Sequence, residues 1–134
     1  MNPFDFFGLR PQIFVDQKTL DKAYQRIQLL LHPDQHQDEF LKEATLKASS
    51  DAANYYARLK DPVECLHIML EDFGGLIPNK DPEFLTEMFE LQESTKNHTQ
   101  EIQDLSQKIE TAFLEADAKQ LQAYSNRFIY IYKK

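Results

Sequence analysis

His32-Pro33-Asp34 are the residues whose types and spacing best suit chemistry. A histidine offers a donor and an acceptor near neutral pH. An aspartate accepts charge-assisted and often bidentate hydrogen bonds from a partner arginine. The proline between them stiffens the loop, so both groups are presented with little ordering cost on binding. That chemistry suits recognition of another protein. The plainer alternative is that Asp34 caps the following helix and His32 is an ordinary surface residue. His32 and His36 stand four apart, a spacing that grips a metal on a helix. Pro33 breaks any such helix, and no cysteine lies nearby, so no metal site is expected. Cys65, beside Leu66, reads as a small buried apolar residue. Glu90 and Glu93 form a carboxylate pair, yet nothing builds a pocket around them for acid–base catalysis. No phosphate-binding glycine loop occurs, so the chain is not expected to hydrolyse ATP itself. Neither a cofactor nor an enzymatic activity follows from these residues.

The elements that must carry these residues are helical throughout. Phe4 to Leu9 reads as a short aromatic turn of helix ending at Gly8. Asp16 or Thr19 caps a helix in which Leu20, Ala23, Tyr24, Ile27 and Leu31 recur at spacings of three and four. Pro33 stops it, because proline lacks the donor and clashes with the preceding turn. A second long helix runs from about Asp38 to Lys60 with Phe40, Ala44, Ala48, Ala52, Tyr55 or Tyr56, and Leu59 on its inner face; its alanines allow close antiparallel packing. Pro62 opens a further helix through Leu66 and Leu70. Gly74-Gly75, Pro78 and Pro82 mark residues 74–81 as a connector. Beyond it, Leu85, Met88, Phe89 and Leu91 mark one helix. Ile102, Leu105, Ile109, Ala112 and Phe113 mark the next, and Leu121, Tyr124, Phe128 and Ile131 the last. The expected architecture is all-α: residues 1–73, the connector 74–81, and a bundle over 82–134.

Composition narrows the function. The chain has 134 residues, 42% of them hydrophobic, which suits one globular domain or two small helical ones. Asp and Glu number 22 against 15 Lys and Arg, a net charge of −7, which argues against nucleic-acid binding. The longest apolar runs, Leu29-Leu30-Leu31 and Phe128 to Tyr132, are far too short for a bilayer. A single cysteine forms no internal disulfide, and no secretory signal is visible at the amino terminus, so a cytoplasmic setting is expected.

The frame around His32-Pro33-Asp34 resembles the J-domain. Its carriers are the opening Phe4-Asp5-Phe6-Phe7-Gly8-Leu9, a helix ending at the motif, and an Ala-rich helix closing with Asn54-Tyr55-Tyr56-Ala57-Arg58-Leu59-Lys60-Asp61-Pro62. The resemblance implies that the loop stimulates ATP hydrolysis by a heat-shock-70-type chaperone, with Lys22 and Arg26 steering it onto an acidic surface. The family usually has more cations there: here the last turn is Leu29-Leu30-Leu31, and Gln35 follows the motif. An exposed leucine of that turn then adds apolar contact, or packs beneath the carboxy-terminal bundle.

Nearly the whole chain resembles the HscB (Jac) co-chaperones of iron–sulfur cluster assembly, which join a J-domain to a three-helix bundle. Pro82-Glu83-Phe84-Leu85-Thr86-Glu87-Met88-Phe89-Glu90-Leu91-Gln92-Glu93 is similar to the family's scaffold-binding helix. The resemblance implies that Leu85, Thr86, Phe89, Glu90, Glu93 and Phe128 bind the scaffold IscU, and that the chaperone is HscA. Thr86 departs from the family, which has a larger apolar residue there, and Asn97 stands where a further glutamate is usual. Leu85 and Phe89 have core packing as their alternative. Two other functions stay open: a J-domain protein with another client, and a structural helical protein with a degenerate J-domain.

Overall fold

The computed structural model describes residues 2–31, 39–94 and 97–132, and among these it holds seven helices and no strand. They are α1 (Pro3–Phe6), α2 (Gln17–Leu30), α3 (Glu39–Leu59), α4 (Pro62–Glu71), α5 (Pro82–Glu93), α6 (Thr99–Leu114) and α7 (Ala118–Ile131). The chain divides into two compact units, Met1–Cys65 and Leu66–Lys134. The division falls within α4, upstream of the glycine pair.

In the first unit α3 packs against both α1 and α2. Asp16, rather than Thr19, caps α2: its carboxylate accepts the Thr19 N–H at 3.0 Å and the Thr19 hydroxyl at 2.8 Å. Leu20 and Ala23 are buried on α2, as are Phe4, Phe7 and Ile13 ahead of it. Both tyrosines of α3 take part in the base of the hairpin. Tyr56 stacks on Tyr24 with centroids 4.4 Å apart, while Tyr55 meets Phe6 edge-on at 5.2 Å. The Tyr56 hydroxyl donates to Asp21 at 2.5 Å, and Gln17 donates to the same carboxylate at 2.7 Å. The seam of α3 differs from the expected row. Thr45, Ala52 and Leu59 are its buried residues, whereas Phe40 and Ala44 are exposed. Residues seven apart return to nearly the same bearing at 3.6 residues per turn, and Ala44 lies about 100° off that row.

In the second unit α7 packs against both α5 and α6. Met88, Leu105, Ile109, Ala112, Leu121, Phe128 and Ile131 are buried on α5, α6 and α7, and Leu66, Ile68, Met69 and Leu70 on α4. The turn from α6 to α7 is a Schellman closure: the Asp117 N–H bonds the Ala112 carbonyl at 2.9 Å and the Ala116 N–H bonds Phe113 at 3.1 Å. Ala116 adopts φ 56° there, a left-handed position usually given to glycine. Asp117 then caps α7 by accepting the Gln120 N–H at 3.1 Å.

The expected connector lies within this second unit and is bound to α7. Gln122 accepts the Ile77 N–H at 2.9 Å and donates to the Gly75 carbonyl at 2.8 Å. One turn later, Asn126 accepts the Asn79 N–H at 2.8 Å and donates to the Ile77 carbonyl at 2.9 Å. Two carboxamides thus satisfy alternate backbone groups of the extended segment as a neighbouring strand would. Gly74 and Gly75, at φ 83° and 87°, make the reversal that brings the segment there.

Candidate functional site

His32, Pro33 and Asp34 lie outside the described residues, as does His36. The described flank on α2 carries Lys22 and Arg26, both exposed and one turn apart. Leu29 and Leu30 are exposed by 72% and 65%. Leu29 projects about 180° from Leu20 around the helix, and so shares the outer side with Lys22. Leu31 is half-buried and ends the helix, its N–H bonded to the Ile27 carbonyl at 2.9 Å. The outer side of α2 is therefore basic in its middle and apolar toward its end.

On α5, Asp81 caps the helix by accepting the Glu83 N–H at 3.1 Å, and Pro82 occupies the first position, where it needs no donor. Met88 is fully buried and anchors the inner side. Phe84 meets Tyr130 edge-on at 5.9 Å, and the Gln92 amide donates to the Tyr130 carbonyl at 3.1 Å. These contacts turn the opposite side outward. Thr86, Phe89, Glu90 and Glu93 are exposed there, Phe89 by 60%, and Leu85 is half-buried at the edge. The five residues fall within about 140° of arc, a single stripe. Thr86 returns its hydroxyl to the Pro82 carbonyl at 2.9 Å, so its polar atom is already satisfied within the helix. A shallow depression is lined by Pro82, Glu83, Thr86, Glu87 and Glu90. Leu91, off the stripe, is half-buried.

Phe128 requires a correction. It is 0% exposed, with its ring stacked on Tyr132 at 5.3 Å, and it offers no surface for a partner to touch. The cause is the position of α7: it packs on two helices, so a wide arc of its circumference is interior, from Leu121 through Ser125 and Phe128.

Arg127 is the residue that local patterning misses. Its guanidinium donates to Glu87 on α5 at 2.9 Å and to Glu101 on α6 at 3.1 Å. Partial burial opposes its charge, but hydrogen bonds to Glu87 and Glu101 outweigh that and raise its pKa. The partners stand 40 and 26 positions away, so no helical spacing reveals them. Elsewhere, burial pushes the Cys65 thiol up to about 12, reinforced by Asp61 and Glu64, which keeps it protonated and unreactive. No group of three metal-ligating side chains occurs among the described residues, and no described helix is long and apolar enough to cross a membrane.

The fold defines a class: an all-helical protein in which a J-domain hairpin with a short leading helix precedes a three-helix bundle. No family model matches the sequence. A co-chaperone HscB homologue from Vibrio vulnificus is 31% identical over 100 residues, covering 69% of this chain and 58% of the relative. One from Pasteurella multocida is 31% identical over 105 residues, covering 72% and 61%. One from Vibrio campbellii is 28% identical over 133 residues, covering 92% and 74%. The chain thus spans about 58% of the length of the Vibrio vulnificus relative that it matches. Among solved structures, HscB from Vibrio cholerae matches with a TM-score of 0.70 at 21% identity, over 98% of this chain and 91% of that one. Human co-chaperone HscB matches with a TM-score of 0.69 at 21% identity, over 98% and 77%. The chain is of the HscB type: it is related to these co-chaperones in sequence and shares their architecture.

Proposed function

We propose that the protein is a non-enzymatic co-chaperone of iron–sulfur cluster assembly. The His32-Pro33-Asp34 loop engages an ATP-bound chaperone of the HscA or heat-shock-70 type and stimulates its ATPase, with Lys22 and Arg26 steering the approach. Leu29 and Leu30 add apolar contact beside that stripe, which offsets the few cations before the motif. The outer side of α5 holds an IscU-type scaffold through Leu85, Thr86, Phe89, Glu90 and Glu93, an apolar patch with an acidic border. Holding both partners on one chain raises the concentration of the scaffold at the chaperone. The exposed phenylalanine of α5 carries this reading: Phe89 is a large aromatic turned to solvent on a helix whose inner side is already filled by Met88. The site of action is the cytoplasm, and neither nucleic acid nor membrane takes part.

Separable variants test it. His32→Gln should abolish ATPase stimulation while scaffold binding persists, and Leu85→Ala with Phe89→Ala should do the reverse. Loss of both activities from one folded variant would refute the division into two sites. The smaller Thr86 favours a second reading, a J-domain protein with another client, which failure of purified IscU to bind would support.

A further inference from the structure

Among the described contacts that hold α5 in the second unit, the Arg127–Glu87 pair combines charge with a fixed direction. Met88 supplies burial, and the edge contact of Phe84 with Tyr130 tolerates rotation about the helix axis. The neutral hydrogen bond from Gln92 to the Tyr130 carbonyl, 3.1 Å, acts at the far end of the helix. A guanidinium is planar, and its forked donors fix the direction of each bond. Arg127 gives one arm to Glu87 on α5 and the other to Glu101 on α6, at 2.9 and 3.1 Å, from a side chain 31% exposed. Glu101 lies in turn 3.6 Å from the Nδ1 of His98, whose Nε2 is 3.3 Å from the Leu91 carbonyl of α5. The polar chain thus starts on α5 at Glu87, crosses α7 and α6, and returns to α5 at Leu91. Glu87 stands on the flank of α5, about 100° from both the inner Met88 and the outer Thr86, where a pull acts on rotation more than on depth.

We infer that Arg127 is a positioning residue for partner binding: it fixes the rotation of α5 that presents Leu85 and Phe89, without touching the partner. This rests on the reading of α5 as the scaffold-binding helix. The α5 stripe loses its bearing when the Glu87 arm is cut, whereas the Glu101 arm alone leaves Arg127 tied to α6.

The test combines a measurement without partner and one with it. In the free full-length protein, Arg127→Gln should raise amide hydrogen exchange along α5 at least tenfold more than along α6 and α7. Equal exchange in all three helices would overturn the inference whatever the partner proves to be. With purified IscU, Arg127→Gln should weaken binding about tenfold, and its effect should be strongly non-additive with Phe89→Ala. Additive effects would mean that Arg127 acts independently of the stripe, and would contradict the inference. Should Arg127→Gln fold poorly, Glu87→Gln cuts the α5 arm alone, leaves Arg127 bonded to Glu101, and should weaken binding and loosen α5 in the same way. A folded Glu87→Gln variant with wild-type affinity and wild-type exchange along α5 would also overturn it. Absence of any IscU binding by the wild type would refute the scaffold reading and leave the exchange result standing.

Discussion

At the scale of single residues, two phenylalanines show how position overrides type. Phe89 is largely exposed and Phe128 fully buried, although each sits on an amphipathic helix of the same unit. Phe128→Ala should therefore cost about 3–5 kcal/mol of stability, the usual penalty for emptying a buried aromatic site. Phe89→Ala should change stability by less than about 0.5 kcal/mol, as exposed substitutions do. Urea melts of both variants check this, and similar losses would place both rings in the core. A second residue-level expectation concerns the hairpin base. The hydrogen bond from Tyr56, followed by that from Gln17, holds the Asp21 pKa below its ordinary 3.8. A lowered carboxylate stabilises the folded state above its ordinary pKa and loses that contribution as pH falls through the folded value. The same bond raises the Tyr56 hydroxyl above 10.0, so its contribution is complete below that value and fades as pH rises past it. The wild-type urea midpoint should exceed that of Asp21→Asn near neutral pH and converge with it in acid. A difference that persists at pH 2 would show that the carboxylate charge is not the source.

At the scale of elements, caps were legible and bearings were not. Pro62 and Pro82 open α4 and α5, and Asp16 caps α2, because these residues act through local backbone geometry that any sequence displays. The seam of α3 was misplaced because alanine and threonine differ too little in hydropathy to fix a bearing. The buried Thr45 then outranks the apolar Phe40 and Ala44. The resemblance puts Phe128 at the scaffold surface, whereas its burial depends on how many helices α7 touches, a fact of tertiary packing. Glycines and prolines mark residues 74–81 as a connector, but Gln122 and Asn126 bind it through partners 45 and 47 positions apart, which no local pattern shows. The α6–α7 turn yields a prediction at this scale. Ala116 holds a left-handed conformation, so Ala116→Gly should raise stability by roughly 0.5–1 kcal/mol, the loss of strain exceeding the added unfolded-state entropy. A melting temperature equal to or below that of the wild type would contradict it.

At the scale of the whole molecule, the two proposed binding sites fall in two separate stretches of sequence, and the described structure divides into two compact units. The helical frame around His32-Pro33-Asp34 was legible, since α1, α2 and α3 stand where the residue patterns put them. The resemblance supplies Leu85, Thr86, Phe89, Glu90 and Glu93, and their spacing permits a single stripe on α5, four of them exposed and Leu85 half-buried. No helical spacing shows that Phe128 on α7 is buried. The central claim is that one chain couples a chaperone's ATPase to a scaffold. Single-turnover ATP hydrolysis by an HscA-type chaperone, measured with this protein in the presence and absence of IscU, tests it most directly. The account predicts stimulation by the protein alone, greater stimulation when the scaffold is added, and loss of both with His32→Gln. Hydrolysis that neither the protein nor the added scaffold accelerates would contradict it.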